Sequence, residues 1–327
     1  MGGASGPVDW TAFLVGLIAG LLARLISMRH GRRHYPGWPS GWITQFTMGA
    51  IAALIGAAIV PALIAKSWTA ATFLTLAATQ FMGLRKVEMS VLQAEEQLLL
   101  TQRGPAYIMG IATTFEARNF TAMLVAVIGA LTTHFFLFDR GVLAALVALA
   151  LSQFVNSGKT MGDVIRTRPG RVRFEKGTLL YVDDVMLMEM GLPHSRERMI
   201  TEGMGVILEP KNGRGEAALW NLAQRQAIAH EASMAVGVQK DVGYPEQTPL
   251  VRMRMPYPDG TAALAILPVV HDMDKLRLAI EQTPLLESVR SQNLPSPHVR
   301  GKEIRKEGAD ENLKNANGPI ALRQKHA

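Results

Sequence analysis

The stretch WTAFLVGLIAGLLARLISM, residues 10–28, is almost entirely apolar and contains a single charged residue, Arg24. A bilayer core of about 30 Å is crossed by about 20 apolar residues in an α-helix. Four further runs of this kind follow, at residues 43–65, 68–84, 120–138 and 142–158. The sequence therefore predicts an α-helical membrane domain of about five transmembrane helices in residues 1–158. The first run has no basic segment before it and no small-residue cleavage site, so we expect it to be retained as a span.

The distribution of Lys and Arg between the spans predicts an orientation. The segments after the first and third spans are basic, with Arg29, Arg32, Arg33, Arg85, Lys86, Arg103 and Arg118. The alternate segments contain only Lys66 and Arg140, and the residues before the first span contain neither Lys nor Arg. Because basic loops stay in the cytoplasm, we expect the N-terminus outside and everything after the fifth span inside the cell.

The predicted spans are rich in small residues and poor in charges. Gly16 and Gly20 form a GxxxG pattern, which allows helices to approach closely in lipid. Arg24 lies one turn from the inner end of its span, where a long side chain is expected to extend to the membrane surface. Charged residues within spans usually mark transport pathways, so their scarcity argues against a transporter.

The overall composition excludes several kinds of chemistry. The chain has 327 residues, no cysteine and a net charge of +7. A chain without cysteine forms no disulfide, thiolate nucleophile or cysteine-based metal centre. The basic excess belongs to the membrane half and the C-terminal tail, whereas nucleic-acid-binding domains concentrate it on a folded face. We therefore predict no metal site, no cofactor and no nucleic-acid partner.

Residues 159–202 begin with a basic segment. Its cluster consists of Arg166, Arg168, Arg171, Arg173 and Lys176. Two interpretations stay open: the cluster contacts anionic lipid headgroups, or it is an ordinary basic flank of a cytoplasmic domain.

An alternating pattern within the same segment predicts a β-hairpin over residues 172–182, with its turn at Lys176-Gly177. Asp183 and Asp184 follow directly. Because adjacent residues of a strand point to opposite faces, a turn or capping role is favoured for them over a shared metal ion.

Residues 203–291 follow the order β-α-β-β-α-β. The strands are GMGVILEP, TPLVRMRM, TAALAILPVV and LLESVR, with helices at 217–235 and 272–281. This order is typical of a ferredoxin-like sandwich, so we predict a cytoplasmic α+β domain. Such domains often bind small molecules or pair with a second copy, which suggests a homo-oligomer by fold analogy alone. Residues 292–327 are polar and contain Pro and Gly, which predicts a disordered tail.

A second informative stretch is RGPAYIMGIATTFEARN, residues 103–119, directly before the fourth predicted span. Tyr107, Ile111 and Phe115 recur every four residues, which predicts an amphipathic helix over residues 105–117 that is too short to span. We expect this helix at the inner membrane surface, with Glu116 and Arg118 facing the interface. The alternative is a catalytic loop.

This stretch closely resembles the signature of the YIEGIA family, membrane proteins of endospore-forming bacteria that are named for that hexapeptide. The hexapeptide here consists of Tyr107, Ile108, Met109, Gly110, Ile111 and Ala112. Five further segments resemble the family in the same order: LLARLISMRHGRRHYPGWPSG, WTAATFLTLAATQF, SGKTMGDV, GMGVILEPKN and LAQRQAIAHEASMAVGV. The resemblance extends from about residue 10 to about residue 290. It departs from the family at Met109, where the family has Glu.

The resemblance implies a place in the bacterial cytoplasmic membrane, a link to sporulation and a small companion protein, described as a capping-complex subunit. Two functions follow from it and from the residues. The first is a membrane-anchored scaffold or regulator whose cytoplasmic domain binds a small protein partner or a ligand. The second is a membrane-bound hydrolase, above all a protease, with Glu116, Asp163 and Asp184 as candidate carboxylates. Paired carboxylates activate water only when they lie close together.

Overall fold

The chain forms two compact units. The computed structural model describes residues 9–28, 39–81, 83–96, 101–136, 138–156, 159–239, 250–254, 259–286 and 289. A helical unit extends to Lys159, and an α+β unit begins at Thr160 and continues to Leu285. The predicted tail at 292–327 lies outside the described residues.

The helical unit contains six described helices: α1 (Trp10–Met28), α2 (Pro39–Ile64), α3 (Trp68–Phe81), α4 (Leu84–Glu96), α5 (Pro105–Phe135) and α6 (Phe138–Asn156). Three of them are long and apolar enough to cross a membrane, namely α1, α2 from Gly41 onward, and α5. The predicted count of five spans is not confirmed. With 14 residues, α3 is only about 21 Å long, which is short of the bilayer core.

The prediction of a separate surface helix over residues 105–117 was wrong, because that segment and most of the fourth predicted span form one continuous helix. α5 has 31 residues and is about 46 Å long. The prediction ended the short helix at residue 117 and placed the next span at residues 120–138. However, the buried face continues across this boundary through Phe115, Asn119 and Ala122, and no Pro or Gly lies between residues 111 and 128.

Small residues form the contact between α1, α2 and α5. A Cβ atom added to Gly16 would lie 2.5 Å from the carbonyl oxygen of Ala126, and one added to Gly20 would lie 2.8 Å from Cβ of Ala53. A Cβ at Gly56 would lie 2.3 Å from the carbonyl oxygen of Met123. The helices therefore pack at distances that only glycine permits, as the GxxxG pattern of α1 predicts.

The α+β unit contains seven strands and five described helices. The strands are β1 (Ile165–Gly170), β2 (Val172–Glu175), β3 (Leu179–Val182), β4 (Val185–Glu189), β5 (Met204–Pro210), β6 (Leu250–Met253) and β7 (Ala262–Ile266). The helices are α7 (Met161–Val164), α8 (Pro193–Thr201), α9 (Gly213–Trp220), α10 (Leu222–Val236) and α11 (Met273–Gln282).

The unit has three layers. An antiparallel sheet has the strand order β1-β5-β7-β6, and a second antiparallel sheet has the order β2-β3-β4. Ile207, Ala263 and Ala265 of the larger sheet share one hydrophobic core with the smaller sheet. On the opposite face, Thr167 of β1 donates a hydrogen bond to Glu281 of α11. The larger sheet is thus covered by the smaller sheet on one face and by helices on the other.

The ferredoxin-like fold is not confirmed. In that fold the last strand, which follows the second helix, pairs with the first strand. The predicted first strand, GMGVILEP, is β5, and its neighbour on that side is β1 instead. β1 was predicted as a basic flank, although Ile165 and Thr167 alternate with its arginines and are buried. Leu285 and Leu286, from the predicted last strand, lie outside any strand, and residues 287, 288 and 290 are not among the described residues.

The predicted hairpin is present as β2 and β3, which pair in antiparallel register. Its turn consists of residues 176–178, in which Lys176 and Gly177 have φ angles of 48° and 80°, the left-handed conformation common in tight hairpin turns. Asp183 and Asp184 form the next turn, which leads into β4. This agrees with the turn role favoured for them.

Candidate functional site

The hexapeptide at residues 107–112 forms part of the first two turns of α5. Tyr107, Ile108, Ile111 and Ala112 are buried, whereas the side chain of Met109 is 53% exposed. The hexapeptide therefore acts mainly as a packing element, and only its third residue presents a large side chain to the outside.

The same buried face of α5 contacts an arginine within the helical unit. Arg24 is 1% exposed, and its guanidinium lies 5.1 Å from the ring centroid of Phe115. Its Nε donates to the backbone oxygen of Gln45 at 3.3 Å and a terminal nitrogen donates to Oε1 of Gln45 at 3.5 Å. The arrangement buries a permanent positive charge among helices α1, α2 and α5.

The expectation that Arg24 extends toward the membrane surface stays a prediction, and the structure shows that the side chain is buried between helices rather than exposed. A Cβ atom at Gly49 of α2 would lie 2.1 Å from Cγ of Arg24, so the missing side chain of Gly49 makes room for the arginine. The stem of Arg24 packs in this space, and its guanidinium reaches the oxygen acceptors of Gln45, one turn nearer the start of α2.

Asn119 adds a second polar group at the same level. It is buried, and neither its amide nitrogen nor its amide oxygen has a hydrogen-bond partner among the described residues. Gly20 of α1 packs against Ala122 of α5. Arg24 lies one turn after Gly20 and Asn119 lies about one turn before Ala122. The two polar residues are therefore at the same level of the helix pair. Buried polar side chains are usually hydrogen-bonded, and charged residues inside membrane helices usually have a function. We name Arg24, Gln45 and Asn119 the polar site; the sequence prediction missed it.

Glu116 and Asp163, two of the predicted catalytic carboxylates, each have a structural partner. Glu116 lies in the helical unit and forms an ion pair with Arg85 of α4, with an oxygen-to-nitrogen distance of 3.4 Å. Asp163 lies in the α+β unit, where Oδ2 accepts a hydrogen bond from the backbone N–H of Thr160 at 2.8 Å. Together with the Thr160 side chain it forms the capping box of α7.

Asp184, the third candidate, lies in the turn between β3 and β4. Its Oδ2 is 2.5 Å from a guanidinium nitrogen of Arg254, and Arg254 also pairs with Asp259. Within the part of the chain that the structure describes, no three His, Asp or Glu side chains could jointly hold a metal ion. The described geometry thus assigns each carboxylate a cap or an ion pair.

Part of the predicted lipid-facing basic cluster is neutralised within the α+β unit. Arg168 pairs with Asp183 at 2.5 Å and with Glu209 at 2.7 Å. Arg173 pairs with Glu175, and its guanidinium lies 5.0 Å from the ring centroid of Tyr181.

The side chains of Arg166, Arg171 and Lys176 form no ion pair with another described residue. Burial opposes the charged form of Asp183, but the Arg171 N–H and the Arg168 guanidinium outweigh it and lower the pKa of Asp183. Hydrogen bonds to the carboxylates of Glu209 and Asp183 raise the pKa of Arg168.

Three segments that carry the family resemblance meet where the α+β unit begins. The side chain of Lys211, in GMGVILEPKN, donates to the carbonyl oxygen of Gly162, in SGKTMGDV, at 2.5 Å, and its backbone N–H donates to Val164. Gln224, in LAQRQAIAHEASMAVGV, donates to the carbonyl oxygen of Pro284 at 3.0 Å. Pro284 in turn forms a β-bridge with Thr160, so these contacts fix the start of the unit.

The α+β unit also exposes large apolar side chains at the C-terminal end of α10. Met234 is 65% exposed and Val269 is 60% exposed, and the adjacent Val270 is about half exposed. The backbone N–H groups of both valines donate to the carbonyl oxygen of Val236, at 3.1 and 2.9 Å. We name Met234, Val269 and Val270 the apolar patch.

These features define a class: a protein with a helical unit that is typical of a membrane region and a separate α+β unit. The chain belongs to the YIEGIA protein family, whose model matches residues 12–296. It is 36% identical over 290 residues to "Uncharacterized protein YphB" of Bacillus subtilis (strain 168). The aligned region covers 89% of this chain and 96% of that relative. No solved structure shows significant similarity to the chain.

Proposed function

We propose that this protein is a membrane-anchored scaffold or regulator whose α+β unit binds a small protein subunit. The observation that carries the proposal is the apolar patch of Met234, Val269 and Val270, whose exposed side chains gather at the C-terminal end of α10. Exposed apolar side chains that lie together mark interaction sites in soluble domains. Such a patch suits a protein partner better than a charged small molecule.

The backbone around the patch supports this assignment. Val236 ends α10, and its carbonyl oxygen accepts both valine N–H groups, so the two side chains are held in position before a partner arrives. Pre-organised contacts lower the entropy that binding costs. Gln239 reinforces the loop, since its side chain donates to the carbonyl oxygen of Pro268 at 2.8 Å.

The hydrolase alternative lacks a comparable observation. Glu116, Asp163 and Asp184 have an ion pair or a capping hydrogen bond each, and catalysis by paired carboxylates needs two of them to share a proton.

The proposal includes a location and a setting. The helical unit anchors the protein in the bacterial cytoplasmic membrane in several passes, with the N-terminus outside, because the basic residues favour that orientation. The α+β unit then lies in the cytoplasm. The family resemblance supports a role in sporulating cells and a small partner of the capping-complex kind, and a second copy of the chain is the competing occupant of the patch.

Site-specific photo-crosslinking of the full-length protein in its own membrane tests the proposal. A photoreactive residue at Val269 should capture one small protein in stoichiometric amount, and Met234→Lys should abolish the capture. A photoreactive residue at Leu278, an equally exposed position of α11, is the matched control.

Capture of a second copy, or equal capture at both positions, would contradict the proposal. Accumulation of uncut substrates in Glu116→Gln, Asp163→Asn or Asp184→Asn would instead favour the hydrolase.

A further inference from the structure

A groove of about 640 Å³ runs between α5 and α6 on the outside of the helical unit. Its walls are apolar, with Leu124 and Ile128 from α5 and Leu143, Val147 and Leu151 from α6. The α6 residues are spaced three or four apart, so they form one face of that helix. Because α5 is one of the helices long and apolar enough to span, we expect the groove to face the bilayer.

The polar groups of the groove lie at its ends. The hydroxyls of Thr121 and Ser152 donate to carbonyl oxygens of their own helices and are therefore satisfied. Arg140 lines the opposite end and forms no ion pair or hydrogen bond with another residue that the structure describes. Its neighbour Asp139 is exposed and does not line the groove. A cation that pairs with no described residue thus lies at one end of an apolar groove.

We propose that this groove binds one acyl chain of an anionic phospholipid, with the headgroup phosphate at Arg140. From Arg140 to Ser152 the groove is about 18 Å long, which is close to the reach of a chain through one leaflet, about half of a 30 Å core. Its volume falls in the range of small-molecule sites. A guanidinium matches a phosphate with two parallel hydrogen bonds.

The charge of Arg140 is the feature that selects this occupant. An apolar groove alone would accept any lipid or another helix, but an apolar helix from a second copy would offer the guanidinium no anion. In an anionic lipid, the acyl chain fits the apolar groove and the headgroup phosphate pairs with the guanidinium. The inference needs the helical unit to lie in the membrane and does not depend on the proposed partner of the α+β unit.

Native mass spectrometry of the full-length protein in detergent tests the proposal, with titration by phosphatidylglycerol and by phosphatidylcholine of the same chain length. The wild type should bind phosphatidylglycerol about fivefold to tenfold more tightly, and Arg140→Gln should remove this preference. Lys66→Gln, which removes an exposed cation between α2 and α3, should keep it. Ala144→Phe should fill the groove and weaken binding of both lipids, whereas Ala150→Phe, on an exposed face of α6 outside the groove, should not.

Two results would overturn the proposal. One is an undiminished preference for phosphatidylglycerol in Arg140→Gln. The other is a dimer that Ala144→Phe dissociates while lipid binding stays unchanged, which would assign the groove to a second copy of the chain. Arg140→Gln alters only an exposed side chain, so the test remains decisive even if Ala144→Phe fails to fold.

Discussion

Asp183 joins the two sheets of the α+β unit and offers a sharp test of the structure. Its Oδ1 accepts the Arg171 N–H at 2.8 Å, its Oδ2 pairs with Arg168 at 2.5 Å, and its backbone oxygen accepts from Nε of Arg173 at 2.6 Å. Arg168 in turn reaches Glu209 on β5. The backbone of Asp183 has a φ of 51°, a left-handed conformation that Asp and Asn tolerate better than other non-glycine residues.

Asp183→Ala should destabilise the smaller sheet by about 2–4 kcal/mol. The left-handed backbone costs about 1–2 kcal/mol for a residue without a polar side chain, and the lost hydrogen bond costs about 1 kcal/mol. The ion pair adds only about 0.2–1 kcal/mol, because Arg168 is 45% exposed and solvent screens it. Asp183→Asn keeps the conformation and the acceptor for the Arg171 N–H, so it should cost about 1 kcal/mol or less.

Hydrogen exchange of the full-length protein in detergent, read from peptides covering β2 to β4, measures these differences. A loss of about 2–4 kcal/mol accelerates exchange by about 30-fold to 700-fold, and about 1 kcal/mol by about fivefold. Rates within threefold of the wild type in Asp183→Ala, or an equal effect of Asp183→Asn, would refute the reasoning.

The ion-pair contribution should also depend on pH with a defined sign. Because the fold lowers the pKa of Asp183, the stabilisation is complete above the unfolded-state pKa of about 3.9 and is lost as the pH falls through the lowered folded-state value. The gap between the wild type and Asp183→Asn should therefore be constant near neutral pH and close only in acid.

Three further predictions concern the helical unit, each measured as the thermal unfolding midpoint in detergent. Gly56→Leu should lower it through overpacking of about 1–3 kcal/mol, since its Cβ would lie 2.3 Å from a carbonyl oxygen of α5; an unchanged midpoint contradicts this. Hydrogen bonds from the Thr11 hydroxyl above all and from the Ala12 N–H, with a smaller effect of His134, lower the pKa of Asp9 to about 2. Asp9→Asn should therefore lower the midpoint at neutral pH, and the difference should fade only as the pH falls from about 4 through 2; equal midpoints at pH 7 would count against it. Arg24→Met should leave the midpoint nearly unchanged, because an apolar replacement of a buried charge is often neutral for stability, and a collapse of the fold would contradict that view.

Local patterns predicted those parts of the fold that depend on neighbouring residues. The long apolar runs indicate α1 and α2 because length and hydropathy alone decide such helices. The turn at Asp183-Asp184 follows from the preference of Asp for turns. By contrast, β1 is a strand because it pairs with β5, about 40 residues further along the chain, and no pattern within IRTRPG reveals that partner.

The polar site was missed for the same reason. The sequence displays a lone arginine in an apolar run, and the usual expectation is that its side chain extends to the surface. Its burial depends on the space beside Gly49 in another helix. Asn119 lies at the same level only because of the register of α1 on α5. Spacing along a single chain does not contain that register.

Adjacent positions of the hexapeptide differ in burial and should therefore differ in their tolerance of substitution. Ile108 is buried and Met109 is about half exposed, although they are adjacent in α5. Ile108→Glu should therefore bury an unpaired carboxylate and destabilise the helical unit by several kcal/mol. Met109→Glu, which restores the residue that the family name spells, should be tolerated, because this side chain is 53% exposed and the change buries no charge. Equal losses of folded protein in the two variants, measured by size-exclusion chromatography in detergent, would mean that the third position is also a packing residue. If only Ile108→Glu fails to fold, the hexapeptide is a helix-packing element whose one outward position is free to carry whatever contact the family requires there.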